Sequence, residues 1–132
     1  MVTCSADASG QILTIGYIDQ VVPDQVELCR RTIRDEMQHL RPGFALLVDL
    51  TNLKSMDAEC AESLGAMLEL CSSREMAFAV WVVPDPSKDI GMNLIARFHC
   101  WQPVRTHTCS NLAEAMKCLM QERAAPAETP RP

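Results

Sequence analysis

The chain has no run of apolar residues longer than eight, Met76 to Val83, whereas a bilayer-spanning helix needs roughly 20. Positive charge is also short: twelve Lys and Arg against seventeen Asp and Glu leave a formal charge of −5. A surface of that sign gains nothing from counterion release, so neither nucleic acid nor anionic membrane is an expected partner. The opening residues, MVTCSADASGQI, contain no basic segment followed by an apolar stretch. No secretory signal is therefore expected, and a cytoplasmic location is. No pair of cysteines stands as C-x-x-C, and the seven thiols (Cys4, Cys29, Cys60, Cys71, Cys100, Cys109, Cys118) are odd in number. His39, His99 and His107 do not fall at i, i+4 beside a glutamate. Tight zinc sites need paired ligands at short spacing, so no metal or other cofactor is expected, and most of the thiols read as small buried hydrophobes.

What is present suits a single domain. The 132 residues are 48% hydrophobic and 22% charged, with a mean hydropathy of −0.01, enough apolar material for a core. Val2–Ala6 and Gln11–Ile18 flank the polar turn Asp7–Gly10 and predict a hairpin, its second strand apolar on both faces. Val22-Pro23-Asp24 opens a helix, with Asp24 as cap and Glu27 completing a capping box. Val26, Cys29, Ile33, Met37 and Leu40 share one face of it, and Pro42-Gly43 ends it. Phe44–Leu50 is a continuous apolar run with the look of a central strand. A loop, Thr51–Met56, leads to Asp57 as cap of a helix bearing Cys60, Leu64, Met67, Leu68 and Cys71 on one stripe. Met76–Val83 is a second buried strand. Asp85-Pro86 predicts the start of a helix whose apolar side is Ile90, Leu94, Ile95 and Phe98. A short strand, Val104–Thr108, precedes a helix capped by Ser110 that turns Leu112, Met116, Leu119 and Met120 inward. The order β-β-α-β-α-β-α-β-α predicts an α/β domain over residues 1–122, a mixed sheet with crossover helices. The tail 123–132, proline-rich and polar, is expected to be disordered.

In such sheets ligands and partners meet the carboxyl ends of the strands. The stretch leaving one such end is Val48-Asp-Leu-Thr-Asn-Leu-Lys-Ser-Met-Asp57-Ala-Glu-Cys60. It resembles the STAS domain, the family of bacterial anti-sigma factor antagonists and transporter tail domains, whose pattern is roughly D-L-S-G-V-x-F-x-D-S-S-G-L-G. Asp49-Leu50 matches the first pair, and Asp57 falls where the second aspartate belongs. Arg74–Val83 and Thr108–Met116 sit where the family's next strand and last helix lie, so the resemblance covers about residues 10–121. It implies a SpoIIAA-like fold and a non-enzymatic, cytoplasmic module of signal transduction and transcription regulation. The implied partner is a regulatory protein such as an anti-sigma factor or sensor kinase, a transporter subunit, or a second copy of the chain.

The departures from the family pattern define the candidate site. The antagonists carry a phosphoacceptor serine directly after the second aspartate; here that residue is Ala58, followed by Glu59 and then Cys60 in place of glycine. The docking surface that the resemblance implies comprises Asp49, Thr51, Asn52, Asp57, Ala58, Glu59 and Glu62. Glu59 then presents permanently the charge a phosphate would bring, or belongs, with Glu62 and Glu69, to a solvated helix face. Ser55 and Ser63 are the nearest remaining hydroxyls, read as a loop serine and a helix-surface serine. Phe98 and Trp101 either cover the sheet or anchor an interface, including that of a homodimer. The alternative is a small thiol enzyme or redox sensor built on Cys60, or on His99 and Cys100. Against Cys60 stand its place on the buried stripe and the carboxylates around it, which disfavour a thiolate.

Overall fold

The computed structural model describes residues 1–85, 89–100 and 104–124. The hairpin forms as expected: β1 (Val2–Asp7) and β2 (Ile12–Tyr17) pair antiparallel from Val2 opposite Tyr17 to Asp7 opposite Ile12. Its turn is closed by the Asp7 carboxylate, which accepts hydrogen bonds from the Ser9 amide at 3.1 Å and the Ser9 hydroxyl at 2.8 Å. Beyond it β2, β4 (Ala45–Asp49), β6 (Phe78–Val82) and β7 (Arg105–Cys109) lie side by side, all parallel, in the order β1-β2-β4-β6-β7. Two short strands stand apart from this sheet. β3 (Asp19–Val21) and β5 (Leu53–Met56) form a separate parallel ribbon. The sequence reading held Leu53–Met56 as part of a loop and assigned no element to Asp19–Val21, because runs of three and four residues are too short for an alternation to register.

Every parallel step in the main sheet proceeds in the same direction, and crossovers between parallel strands are right-handed. Successive crossover helices therefore fall on one side. Accordingly α1 (Pro23–Glu36) and α2 (Cys60–Ser73) share one face of the sheet, and α3 (Met92–His99) packs on α2. Their common core includes Leu13, Ile15, Ile33, Leu46, Val48, Leu64, Leu68 and Trp81. The Trp81 indole N–H also donates to Asn93 Oδ1 at 2.7 Å, tying the sheet to α3. The opposite face is left to α4 (Leu112–Ala124), which packs on β4, β6 and β7. A smaller core forms there from Ala45, Leu47, Phe78, Val80 and Val82 against Ala115 and Leu119. α4 does not extend fully over β2: Leu13, Ile15 and Tyr17 are buried, but Ile12, Thr14 and Gly16 are half-buried, so the two-sided cover expected of this strand is complete on one face only.

Helix starts and inward faces depart from the sequence reading in several places. α1 begins at Pro23, and Val22, not Asp24, is the cap residue; its amide donates to the Gln25 side chain at 3.0 Å in place of the expected Asp24–Glu27 box. α3 begins at Met92 after Gly91, whose φ of +80° suits glycine; residues 86–88, where its start was expected, lie outside the described residues. α4 is capped by Asn111, whose Oδ1 accepts the Glu114 amide at 2.8 Å, while Glu114 reaches back to the Ser110 amide at 2.9 Å. Finally, α4 turns Ala115 and Leu119 inward, leaving Leu112, Met116 and Met120 exposed. A small residue permits the close approach that a helix lying on a sheet requires, and three larger side chains on a neighbouring stripe imitate the same period.

The last helix runs to Ala124, past the boundary expected at residue 122. Arg123, expected in the tail, is helical. Its guanidinium donates to the carbonyls of Gly43 at 2.9 Å and Gln11 at 2.5 Å, and lies over the Phe78 ring at 5.6 Å. Residues 125–132 lie outside the described residues.

The revised inward face of α4 has a direct test. Leu119→Ala is expected to cost about 2–5 kcal/mol in urea unfolding, as buried leucine truncations do. Met120→Gln, at a side chain 70% exposed, is expected to stay within about 0.5 kcal/mol.

Candidate functional site

The loop leaving β4 is built by one carboxylate. Asp49 Oδ1 accepts the Thr51 amide at 2.9 Å and the Thr51 hydroxyl at 2.5 Å, which turns the chain sharply at the strand end. The Leu53 amide then reaches the Leu50 carbonyl at 3.2 Å, and the Asn52 carbonyl accepts the Asp19 amide at 2.9 Å. Those contacts deliver the chain into β5, which runs beside β3; across this ribbon Lys54 Nζ stands 3.7 Å from Asp19. Asp49 is half-buried, while Thr51 and Asn52 are exposed.

From β5 the chain passes into α2 through a turn held chiefly by backbone bonds. The Asp57 amide donates to the Val21 carbonyl at 3.1 Å, and the Asp57 carbonyl accepts the Cys60 amide at 2.9 Å. Helical structure begins at Cys60, and Glu59 is the cap residue, with no side-chain capping bond. The role expected for Asp57 as side-chain cap is thus corrected: Asp57 fixes the turn with its main chain. Ala58, Glu59 and Glu62 all face solvent. They open a helix whose unpaired amides favour negative charge, so the two glutamates sit where the helix dipole stabilises them.

Beside this turn lies a cleft of about 160 Å³ lined by Met56, Asp57, Ala58, Ala61, Ile90 and Ile95. Sequence reasoning placed Ile90 and Ile95 on an inward helix face together with Leu94 and Phe98. Instead Leu94 is 58% and Phe98 75% exposed, because α3 rests on α2 rather than on the sheet and buries Met92 and Ala96. Phe98 does not cover the sheet. Trp101 lies outside the described residues. The contact between α2 and α3 is close at Gly65, where a Cβ would stand 2.5 Å from the His99 ring. His99 Nδ1 in turn faces Glu69 Oε1 at 3.3 Å, so Glu69 belongs to the α2–α3 junction and not to a free acidic stripe. The end of β5, the α2 turn and the Ile90–Ile95 flank of α3 therefore line one cleft. The α3 part of it was hidden from the sequence reading, since apolar residues at helical spacing signal burial by default. Ser63, read as a helix-surface serine, is buried, while Ser55 is exposed on β5.

The thiols named as alternative reaction centres have little nucleophilic character here. Cys60 is fully buried and points its sulfur at the Val21 carbonyl, 3.7 Å away. Burial first, and the Asp57 and Glu59 charges after it, push its pKa up. Burial and the Glu69 charge push Cys100 up as well. A thiolate is the reactive form, and both environments oppose it. Among the described residues no cluster of three or more His, Cys, Asp or Glu side chains is placed to hold a metal ion, and no helix is long and apolar enough to cross a membrane.

No protein-family model matches the sequence, and no curated protein sequence matches it. Solved structures do match in three dimensions. One is an uncharacterized protein of the DUF3478 family from Shewanella loihica PV-4 with a SpoIIAA-like fold. It shares a TM-score of 0.66 at 13% identity, over 89% of this chain and 93% of that one. Another is the anti-sigma factor antagonist SpoIIAA in its unphosphorylated form, with a TM-score of 0.60 at 16% identity, over 95% of this chain and 100% of that one. The chain thus has the SpoIIAA-like fold, a small α/β domain with a mixed sheet and four helices, as the STAS resemblance implied.

The stripe beneath the site makes stability fall in alkali. Cys71, buried on α2, is pushed by desolvation from an ordinary value of 9.0 up to about 12. Between those two pH values the unfolded chain gives up the Cys71 proton and the folded chain keeps it, so deprotonation favours unfolding. The contribution of Cys71 is whole below pH 9 and is lost as pH rises toward about 12, at about 1.4 kcal/mol per pH unit. Urea unfolding of the reduced protein across this range is expected to show the decline, and Cys71→Val to flatten its slope.

Proposed function

We propose that this protein is a non-enzymatic, cytoplasmic regulatory module that docks a signalling protein through the loop and helix from Asp49 to Glu62. The observation that carries this reading is the solvent-facing Ala58-Glu59 pair at the head of α2, beside an apolar cleft and at the end of the central strand. In the resemblance to anti-sigma factor antagonists, Ala58 stands where the phosphoacceptor serine is found. Alanine has no hydroxyl to receive phosphate, and Glu59, one residue on, supplies a fixed negative charge in the first turn's field. The partner surface that complements this site is basic around Glu59 and Glu62 and apolar opposite Ile90 and Ile95. A regulatory kinase or anti-sigma factor is the partner class in view, with a transporter subunit or a second copy of the chain as the other occupants.

Two further features support a binding module over an enzyme. Parallel strands are added in one direction only, so the sheet has no point of strand-order reversal, where open α/β sheets form their ligand crevice. The thiols at the site are buried or held protonated. With no hydroxyl at residue 58, control of docking falls to competition between partners, concentration or self-association.

The test is affinity capture from the native host with wild type, Glu59→Gln and Glu59→Arg as baits, each checked for folding by circular dichroism. A regulatory kinase or anti-sigma factor is expected with wild type, reduced with Glu59→Gln and absent with Glu59→Arg. Intact mass of the wild-type bait is expected to show no phosphate. Equal recovery by all three baits, or recovery of the bait alone, removes docking at this helix.

A further inference from the structure

Away from the α2 turn, a second cleft of about 280 Å³ opens between β1 and α1, lined by Met1, Val2, Cys4, Gln25, Leu28, Cys29 and Thr32. Two thiols meet in it. Cys4 projects from the edge strand β1 toward α1, and Cys29 lies on the buried face of α1 at 7% exposure. The two thiols act on each other: Cys29 is pulled below the ordinary thiol value by its interaction with Cys4, and Cys4 is pushed far above it by Cys29, with burial and the charge of Glu36 adding to the rise. The other five thiols, Cys60, Cys71, Cys100, Cys109 and Cys118, are all shifted upward. The pair on β1 and α1 sets two thiols of adjacent elements in one cleft that can admit a reagent.

We propose that Cys4 and Cys29 are a redox-active dithiol, with Cys29 attacking a low-molecular-weight disulfide and Cys4 resolving the product into an intramolecular disulfide between β1 and α1. In the first step the Cys29 thiolate bonds to one sulfur of the reagent disulfide, whose S–S bond breaks and whose other half leaves as a thiolate. In the second step Cys4 loses its proton to the departing thiolate and bonds to the Cys29 sulfur, expelling the second half of the reagent. Two electrons pass from the protein to the reagent, one protein disulfide forms, and two molecules of small thiol are released. The product staples the edge strand to the helix that covers it, and an excess of small thiol reverses it. This modification is independent of partner docking at α2.

Glutathione disulfide is the probe. The reduced full-length chain is incubated in glutathione buffers of rising oxidation, quenched in acid and alkylated, then read by intact mass and peptide mapping. The alkylatable thiols are expected to fall from seven to five, with Cys4 and Cys29 peptides linked, Tm raised and dithiothreitol restoring all seven. Cys4→Ser is expected to stop at a glutathione mixed disulfide on Cys29, and Cys29→Ser to leave Cys4 unmodified. Should Cys29→Ser not fold, the wild-type time course by peptide mapping carries the test. The proposal is overturned if all seven thiols stay alkylatable, if Cys109 and Cys118 link first, or if Cys4→Ser takes up no glutathione.

Discussion

A parallel strand cannot follow its neighbour without a crossover, and in L-polypeptides that crossover is right-handed. Here β2, β4, β6 and β7 follow one another across the sheet in a single direction, so handedness alone commits α1, α2 and α3 to one side. The rest of the molecule depends on that. The crowded side becomes the principal core, with β4 buried at its centre, while α4 alone is left to cover the other. Because α3 finds the sheet already occupied, it settles on α2, and Leu94 and Phe98 remain on the surface. The candidate site owes its composition to this arrangement: a charged helix start beside an apolar helix flank, beyond the carboxyl end of the central strand β4.

The site has little internal freedom. Its loop is held at one end by the Asp49 carboxylate and at the other by main-chain bonds from Asp57 to Val21 and Cys60, with the β3–β5 ribbon between. A surface fixed in this way loses little conformational entropy when a partner is bound. Gly65 adds to the rigidity. It lets the His99 ring lie against the α2 backbone, and that ring meets Glu69 on the next turn.

Much of the fold is legible in the sequence because buried parallel strands announce themselves as unbroken apolar runs. Phe44–Leu50 and Met76–Val83 could be placed from composition alone, and so could the α2 stripe, where Cys60, Leu64, Met67, Leu68 and Cys71 are all buried. The position of the loop between β4 and α2 followed from Asp49 and Asp57. What could not be read is which of two apolar stripes a helix buries. In α4 the choice fell on Ala115 and Leu119, in α3 on Met92 and Ala96, in each case a small residue at the point of close approach. Periodicity weighs a large side chain more heavily than a small one, whereas packing selects for distance. Caps misled for a related reason. Asp24, Asp57 and Ser110 all have suitable side chains, yet the chain entered each helix at a residue set by the preceding strand or turn.

Arg123 joins the last turn of α4 to carbonyls at Gln11 and Gly43, at the opposite end of the strands from the Asp49–Asp57 loop. Leu47, Phe78, Val80 and Val82 acquire their cover only when that helix seats itself. During synthesis from the amino terminus, then, one face of the sheet is closed by its crossover helices while the other stays wet until α4, which follows every strand of the sheet, has emerged. That helix arrives as a lid on an apolar sheet face, and its guanidinium is the latch. A form lacking α4 would present that face to any neighbouring chain, which places an aggregation hazard of this fold late in the making of the domain.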